Sequence, residues 1–423
     1  MTAAAASRAG HVHVVGAGLA GLAAALSLSR SGRAVTVHEA AGQAGGRCRS
    51  YDDRALGCRI DNGNHLLLAG NRAALDYLDE TGAAGSLVGP AEAAFPFLDL
   101  AGGRSWTLRP NPGPLPWWIF APGRRVPDSG ALDYLKALRL LAARPGATVM
   151  QVLGPGPLME RLWRPLTVAA LNAGPEVAAA SLLLPVLRES FGRGGRRCRP
   201  LVARDGLAAA FVEPALATLA TRGVAIGFGR RLRGLERRDG RVVALDFAQG
   251  PVALGPADAV VLAVPAPVAE GLLPDLTVPR GSSAIVNAHF LLDRPGRLPG
   301  GAPLLGLLGG TVDWVFLRDR LASATVSAAD DLAGQPAEAL LPLLWRDTAA
   351  ALGTPGAALP PGRIVKEKRA TFRQTPEQAA RRPASRTAWP NLVLAGDWTA
   401  TGLPATIEGA IRSGRAAAAA VLG

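Results

Sequence analysis

Three glycines near the N-terminus have the spacing of a phosphate-binding turn. Gly16, Gly18 and Gly21 form a G-x-G-x-x-G pattern after the apolar run His11–Val15 and before the alanine-rich run Leu22–Arg30. In that context the first glycine permits a tight turn, the second lets the backbone approach a pyrophosphate, and the third lets helix and strand pack closely. Free N–H groups at the helix start then face the phosphates. The pattern predicts a dinucleotide site and, taken alone, leaves FAD and NAD open.

Residues that follow the next predicted strand narrow the choice of dinucleotide. Glu39 lies 23 residues after Gly16, where a carboxylate can accept hydrogen bonds from the ribose hydroxyls and disfavours a 2′-phosphate. Gly45, Gly46 and Arg47 come after a short loop and predict a backbone nest with a guanidinium beside the pyrophosphate. NAD dehydrogenases rarely carry this extension, so it favours FAD.

A second candidate motif lies close to the C-terminus. The segment 394–398 places Asp397 at the end of a short strand, and residues 402–410 start a helix after a proline. Asp397 can accept a hydrogen bond from a ribityl hydroxyl, and the N–H groups near Ala405 and Thr406 can stabilise negative charge on the flavin N1–C2=O edge. The alternative is a capped terminal helix without a ligand, which the N-terminal motif disfavours.

Apolar runs and turn residues place these motifs in one α/β domain. An N-terminal βαβ unit is joined by elements from two later parts of the chain, namely a helix at Leu207–Thr221, strands at Val224–Phe228 and Ala259–Val264, a hairpin around Asp239-Gly240, a strand at Leu392–Ala395 and a helix at Ala405–Leu422. We therefore predict a Rossmann-type FAD-binding domain assembled from residues 8–82, 200–278 and 390–423. An inserted α+β substrate domain is predicted from residues 83–199 and 279–389.

The composition limits the partners and the location of the protein. Lys plus Arg number 46 against 33 Asp plus Glu, a formal net charge of +13. Neither a basic stripe nor a nucleic-acid-binding motif is found, so nucleic acid is not expected. An anionic membrane surface fits better, and biased composition is the other explanation. Cys48, Cys58 and Cys198 lack the spacing of a disulfide framework or a metal site, which predicts reduced thiols, no metal and a cytoplasmic protein.

Membrane association is an open expectation. Neither a secretion signal nor about 18 uninterrupted apolar residues is found, because Leu166–Leu187 contains Asn, Glu and Pro. The segment 110–120 instead combines prolines with Trp117, Trp118 and Phe120, and arginines follow it. This composition suits peripheral binding at the inner face of a membrane. The alternative is a rigid loop whose tryptophans pack inward.

These segments together resemble the phytoene desaturase and amine oxidase superfamily of FAD enzymes, over essentially the whole chain. Within it the chain is most similar to the squalene-associated, hydroxysqualene dehydroxylase branch of squalene and hopanoid biosynthesis. Two stretches carry this resemblance, residues 61–71 (DNGNHLLLAGN) and residues 396–410 (GDWTATGLPATIEGA). It implies a hydrophobic isoprenoid substrate, reductive removal of a hydroxyl group from hydroxysqualene, and association with other enzymes of that pathway.

The resemblance also assigns roles to residues. FAD contacts carry over to Gly16, Gly18, Gly21, Glu39, Gly46, Arg47, Asp397, Ala405 and Thr406, and Leu232 matches a position whose backbone meets the adenine. Asp61 to His65 should lie close to the isoalloxazine ring. Because loss of an allylic hydroxyl needs a proton, Asp61 or His65 is the candidate acid. His65 as a structural hydrogen-bonding residue is the alternative.

Three rival functions remain at this point. A carotenoid-type desaturase or isomerase would use the same fold with oxidised FAD. An amine oxidase would offer an aromatic cage and often a cysteine-linked flavin, yet the chain has three tyrosines and no cysteine in its closing motif. A non-catalytic FAD-binding scaffold at the membrane is the candidate from another class.

Overall fold

The computed structural model describes residues 10–423; residue 8, at which the predicted cofactor domain begins, lies outside the described residues. Its strands fall into five sheets, of which a five-stranded and a seven-stranded sheet are the largest. The strands are β1 (Val12–Val15), β2 (Val35–His38), β3 (Ser50–Asp53), β4 (Cys58–Asp61), β5 (Leu67–Leu68), β6 (Leu87–Val88), β7 (Phe95–Asp99), β8 (Arg104–Leu108), β9 (Pro200–Ala203), β10 (Ala225–Gly227), β11 (Leu232–Arg238), β12 (Arg241–Phe247), β13 (Gly250–Ala253), β14 (Ala259–Leu262), β15 (Ser282–Leu291), β16 (Leu304–Leu308), β17 (Trp314–Arg318), β18 (Leu321–Val326), β19 (Gly362–Phe372) and β20 (Leu392–Leu394).

The helices range in length from 4 to 16 residues. They are α1 (Leu19–Arg30), α2 (Arg72–Glu80), α3 (Ala131–Leu135), α4 (Val149–Leu153), α5 (Arg164–Leu171), α6 (Ala180–Glu189), α7 (Gly195–Cys198), α8 (Glu213–Thr221), α9 (Ala266–Leu272), α10 (Asp330–Ala333), α11 (Ala337–Ala351), α12 (Pro376–Ala380) and α13 (Ile407–Leu422). Between residues 10 and 423 no helix combines the length and the hydropathy that a bilayer span requires.

The five-stranded sheet is fully parallel and has the order β10-β2-β1-β14-β20. Its strands come from three separate parts of the chain, as the sequence predicts. Helices α1 and α13 pack against each other beside it. Strand β1 lies in the middle and is followed by the glycine turn, so the carboxyl edge of the sheet is where a ligand is expected.

The glycine turn is tighter than the sequence pattern indicates, because α1 begins at Leu19 rather than at Leu22. Gly16 has a φ of +107°, in the region that favours glycine. A Cβ at Gly21 would lie 1.9 Å from the carbonyl oxygen of Gly16. Both positions therefore require glycine for the backbone geometry alone.

One other predicted element differs in detail, and another agrees with the prediction. Helix α13 begins at Ile407 rather than Ala405, because Thr406 is extended and caps the helix with its side chain. The predicted hairpin β11–β12 is confirmed, with Asp239 and Gly240 both at positive φ as a two-residue turn demands.

The seven-stranded sheet is mixed and has the order β19-β15-β18-β17-β16-β7-β8. Only β16 and β7 pair in parallel. Strand β15 pairs with β19 and β18, and apolar side chains from it, including Val286 and Phe290, pack against Leu340 and Leu344 of α11. The sheet draws β7 and β8 from the first predicted insertion and the other strands from the second. The residue boundaries between the two domains stay predictions.

Candidate active site

The turn between β1 and α1 forms an open cradle for a phosphate group. The N-terminus of α1 has no side-chain cap at Gly18, so its first N–H groups are free for a ligand. A Cβ placed on Gly18 would meet nothing within 4 Å, whereas one on Gly16 would lie 2.3 Å from the Ala263 carbonyl oxygen. Gly45 donates its N–H to the Ala17 carbonyl oxygen over 2.8 Å. The two predicted glycine motifs therefore lie side by side around the same open space.

Glu39 is held at the carboxyl end of β2 by backbone donors. Its Oε2 accepts from the Ala17 N–H over 2.7 Å, and its Oε1 accepts from the Ala41 N–H over 2.8 Å. Each carboxylate oxygen keeps a further lone pair for a ribose hydroxyl. The Arg230 N–H donates to the Glu39 carbonyl oxygen over 2.7 Å, which brings Leu232, the first residue of β11, near this end of the cradle.

The N-terminal and C-terminal motifs meet in an ion pair. Arg47 donates from Nη2 to Asp397 Oδ1 over 2.7 Å and from Nη1 to the Ala370 carbonyl oxygen. The Asp397 charge raises the pKa of the Arg47 guanidinium above its ordinary value. The sequence gives no sign that these two residues, 350 positions apart, contact each other. The pair fixes Arg47 beside the phosphate cradle and Asp397 beside the start of α13.

A buried arginine holds the loop that follows Asp397. Arg382 donates to the Leu403 carbonyl oxygen over 2.6 Å, to the Asp397 carbonyl oxygen over 3.0 Å and to Thr401 Oγ1 over 3.1 Å. Its guanidinium also lies 5.3 Å from the centre of the Phe372 ring. Burial lowers the pKa of Arg382 to about 10, so the group remains charged at neutral pH.

The two predicted flavin-edge amides have different partners. The Ala405 N–H donates to Gln374 Oε1 over 2.8 Å, so it is engaged rather than free. The Thr406 N–H has no hydrogen-bond acceptor among residues 10–423, while Thr406 Oγ1 accepts from the Gly409 N–H over 3.1 Å. Gln374 is fully buried and also donates from Nε2 to the Leu171 carbonyl oxygen over 2.7 Å. Thr406 and the first turn of α13 therefore offer the free amides.

Asp61 is a buried carboxylate with three hydrogen-bond donors around it. Oδ1 accepts from Ser50 Oγ and from the Leu207 N–H, the latter over 2.9 Å, and Oδ2 accepts from Arg318 Nη1 over 3.2 Å. His289 donates from Nε2 to the Asp61 carbonyl oxygen over 3.0 Å. These contacts fix Asp61 as an anchor of the loop that contains the DNGNH sequence.

His65 has a different environment, although it lines the same small cavity of about 40 Å³ as Asp61. Its ring has no hydrogen-bond partner in the described part of the chain and is not fully buried. Burial lowers the pKa of His65 to about 4, and the nearby Asp61 charge offsets only part of that effect. The imidazole is therefore neutral at physiological pH. The rest of the cavity wall includes Asn64, Phe316, Arg318 and Ser323.

Side chains of strands β15 and β18 hold the loop between Asp61 and His65 in place. Asn64 donates from Nδ2 to Thr325 Oγ1 over 3.0 Å, and Asn287 Oδ1 accepts from the same threonine hydroxyl over 2.9 Å. The buried Asn287 Nδ2 has no acceptor in the described residues and would lie 3.1 Å from a Cβ on Gly63. Asn287 and His289 thus fix the position of the loop against the seven-stranded sheet.

A buried glutamate joins the two longest motifs. Glu408 accepts from the Ala73 N–H over 3.0 Å and from the Ala74 N–H over 2.8 Å, so it caps the N-terminus of α2. Helix α2 directly follows the segment 61–71. The segments 61–71 and 396–410 therefore form one structural unit at the carboxyl edge of the parallel sheet.

Comparison with known proteins places this site in a family. The model of a family described as flavin containing amine oxidoreductase matches residues 19–422. The chain belongs to this family. Hydroxysqualene dehydroxylases align with it almost end to end: that of Rhodopseudomonas palustris is 50% identical over 97% of this chain and 98% of the relative, and that of Zymomonas mobilis is 44% identical over 96% and 97%.

Solved structures of the family share the fold at low sequence identity. Cyclohexylamine oxidase from Brevibacterium oxydans superposes with a TM-score of 0.70 over 97% of this chain and 98% of that one, at 18% identity. Putrescine oxidase bound to putrescine gives 0.67 over 98% and 99%, at 16% identity. The predicted α/β fold is confirmed.

FAD is the cofactor of this family member, and the residues present fit it. The uncapped start of α1 suits a pyrophosphate, the Glu39 carboxylate suits a ribose, and the free amides at Thr406 suit a ring that gains negative charge. The open space at Gly18 leaves room for the phosphates. The individual contacts of Gly16, Gly18, Gly21, Glu39, Gly46, Arg47, Leu232, Asp397, Ala405 and Thr406 with FAD stay predictions.

Two residues of this site were missed from the sequence. Gln374 and Arg382 lie before the last strand of the parallel sheet, in a stretch without a recognisable motif. No sequence signal identifies them, because their burial, which implies specific partners, is visible only in the structure. Most of the hydrogen-bond partners of their side chains are backbone groups, and all lie at least 15 residues away in sequence, so no local spacing could identify them.

Proposed function

We propose that this protein removes the hydroxyl group of hydroxysqualene and releases squalene. The observation that carries the proposal is the end-to-end alignment with relatives named hydroxysqualene dehydroxylase at 44–50% identity. The convergence of segments 61–71 and 396–410 at the same edge of the sheet supports it, because the proposal needs both segments beside the reacting group.

The net reaction converts an allylic alcohol, a hydride and a proton into an alkene and water. Bound FAD in its reduced form supplies the hydride. The C–O bond of the alcohol breaks, the oxygen leaves as water after taking up the proton, and the allylic carbon takes the hydride. The protein has to orient the substrate, exclude bulk water and hold the proton at the leaving oxygen.

We assign the contact with the leaving hydroxyl to His65 and the positioning of its loop to Asp61. The three donors around Asp61 occupy its carboxylate, whereas the His65 ring has no protein partner in the described chain. As a neutral imidazole, His65 donates a hydrogen bond from one ring nitrogen. In this proposal, the negative charge of the reduced cofactor would raise the His65 pKa from about 4, and the protonated ring would then act as a general acid.

In this proposal, the start of α13 stabilises charge on the cofactor, and the residues around Asp397 hold that part of the site in place. Thr406 and the first turn of α13 offer N–H groups that favour negative charge at the cofactor edge. Gln374 fixes the neighbouring Ala405, and Arg382 fixes the loop between them and Asp397. We call the part of the site around Asp397, Ala405 and His65 the reaction end. These contacts keep the reaction end rigid while the substrate changes charge.

The substrate and its location complete the proposal. We propose a hydrophobic isoprenoid substrate, and action in the cytoplasm at the inner face of a membrane, where such a molecule is dissolved. The net charge of +13 supports an anionic surface as the partner.

A single-turnover experiment tests the function. The purified protein is reduced without oxygen and mixed with hydroxysqualene in detergent, and both flavin absorbance and squalene mass are followed. We expect one squalene for each flavin that reoxidises. Flavin that remains reduced and yields no squalene would contradict the proposal. Reduction of the oxidised protein by a polyene precursor would favour the desaturase alternative instead.

A further inference from the structure

One surface carries most of the exposed apolar side chains of the protein. In the described residues, twelve large apolar side chains are exposed, and seven of them lie between residues 115 and 141. Leu115 is 78% exposed, Leu132 is 76% exposed and Phe120 is 68% exposed. Clusters of this kind mark interaction sites, whereas scattered apolar residues do not. The seven, which we call the apolar face, are Leu115, Trp117, Phe120, Leu132, Leu135, Leu138 and Leu141.

Four leucines of the apolar face follow one helical element. Helix α3 continues directly into a 3₁₀ segment, Lys136–Ala142. The leucines at 132, 135, 138 and 141 are spaced three residues apart, and a 3₁₀ helix has three residues per turn. Tyr134 and Leu140 from the same element are buried instead. The element therefore has one buried side and one apolar side that faces outward.

The remaining members come from a fixed loop. Asn111 donates from Nδ2 to the Leu115 carbonyl oxygen over 2.9 Å, and its Oδ1 accepts from the Trp118 N–H over 3.2 Å. Trp118 packs inward, 5.0 Å from Tyr134, while Trp117 is 52% exposed. The expected inward packing is confirmed for Trp118, whereas Trp117 faces outward. Its exposed side chains are held outward by a rigid backbone.

The charges around the apolar face indicate what it contacts. Residues 109–144 contain six basic and two acidic side chains. Asp128 pairs with Arg104 and Arg161, and Asp133 pairs with Lys136 and caps α3. Both acids are thereby neutralised, which leaves a positive rim beside the apolar side chains. Exposed apolar residues within a positive rim complement a bilayer with anionic headgroups.

The buried side of the same stretch leads toward the candidate site. Trp118, Ile119 and Tyr134 belong to one apolar cluster that also contains Phe372 and Trp398. Trp398 directly follows Asp397. Apolar contacts therefore run without a break from this surface to the loop beside the proposed reaction end.

We propose that the apolar face is a membrane-docking surface, which inserts its side chains into an anionic leaflet without spanning it. Its use for substrate uptake rests on the proposed function, because an isoprenoid alcohol would enter from the acyl layer. Docking itself requires no turnover. The test can therefore fail or succeed independently of the dehydroxylase assay.

Vesicle flotation of the FAD-loaded protein tests the proposal. Vesicles of phosphatidylcholine with phosphatidylglycerol are compared with vesicles of phosphatidylcholine alone, for the wild type and for the double variant Leu138→Asp, Leu141→Asp. The control variant is Val177→Asp, Leu359→Asp, which adds the same charge at two exposed apolar residues outside the face. Flavin content and circular dichroism verify that each variant folds.

We expect the wild type and the control to float with the anionic vesicles, and the face variant to partition at least about tenfold more weakly. Equal flotation of the face variant and the control would overturn the proposal. Equal binding of the wild type to both vesicle types would overturn the anionic leaflet as partner. A wild type that is dimeric by light scattering and does not float, with a monomeric face variant, would assign the face to contact between two copies and also overturn it.

Discussion

The two ends of the proposed FAD site are built in different ways. At the nucleotide end, backbone amides and glycines form the cradle, and most of its contacts lie within residues 16–46, with one carboxylate at Glu39. At the reaction end, side chains form the contacts, and they join residues 47 to 397 and 374 to 405. A backbone cradle tolerates changes in the side chains around it. A network of buried side chains does not, because each lost partner leaves another polar group unpaired.

The largest expected effect is at the nucleotide end. Gly21→Ala places a Cβ 1.9 Å from the Gly16 carbonyl oxygen, so the helix must move away from the strand. We expect loss of bound flavin and a destabilisation of roughly 1–3 kcal/mol. Flavin content and thermal melting of the purified protein measure both.

Gly18→Ala is the matched control for that variant, since its added Cβ meets nothing within 4 Å. We expect the apoprotein to melt at the wild-type temperature and FAD affinity to fall about tenfold, because the methyl group occupies ligand space. Wild-type affinity in this variant would contradict a pyrophosphate beside Gly18.

The next effect concerns the pair that joins the two ends. Arg47→Met leaves the Asp397 carboxylate without its ion-pair partner. The side chain of Arg47 is 41% exposed, so solvent screens part of the interaction, and we expect FAD to bind weaker by about 1–2 kcal/mol. Fluorescence titration of the apoprotein with FAD measures it. Asp397→Asn, which keeps a hydrogen-bond acceptor, should lose less; an equal loss would argue against the ion pair.

A loss of stability, rather than of FAD binding, is expected from a residue that touches no ligand. Gln374→Leu leaves the Ala405 N–H and the Leu171 carbonyl oxygen unpaired and costs about 2 kcal/mol of stability. We also expect a lower flavin reduction potential, because α13 is no longer fixed. Redox titration and denaturant unfolding test this, with the exposed Gln335→Leu as control. Unchanged potential in Gln374→Leu would limit Gln374 to a structural role.

A pH dependence of stability is expected at both ends of the site. Burial lowers the pKa of His13 and His38 beneath the nucleotide end, and of His65 and His289 at the reaction end, from 6.5 to about 4. Between these pH values the unfolded chain binds protons that the folded chain does not. Stability is therefore full above about pH 6.5 and falls as the pH drops toward 4, by roughly a few kcal/mol in all.

Thermal melting across this pH range measures the effect. His289→Gln, which keeps a donor for the Asp61 carbonyl oxygen, should flatten the curve. A melting temperature that does not change between pH 7 and pH 5 in the wild type would show that these imidazoles are not held neutral by the fold.

The difference between the two ends also explains what the sequence predicts. The cradle at Gly16, Gly18 and Gly21 follows from local spacing, since a turn and a helix start are set by neighbouring residues. The start of α13 was misplaced by two residues, because the extended Thr406 acts as a cap rather than a helical residue. The Arg47–Asp397 contact and the role of Gln374 depend on tertiary packing, which the spacing of residues in the sequence does not predict. The DNGNH loop was identified, but the opposite environments of Asp61 and His65 required their partners to be known.

The most direct test of the account is anaerobic single turnover in a variant at the reaction end. His65→Ala and the wild type are reduced and mixed with hydroxysqualene, and flavin reoxidation and squalene are measured together. We predict that the wild type forms squalene as its flavin reoxidises, and that the variant keeps its FAD but reacts about a hundredfold more slowly, as expected for loss of a general acid. Squalene formation at the wild-type rate in the variant would contradict the assignment of His65, and its absence in the wild type would contradict the function.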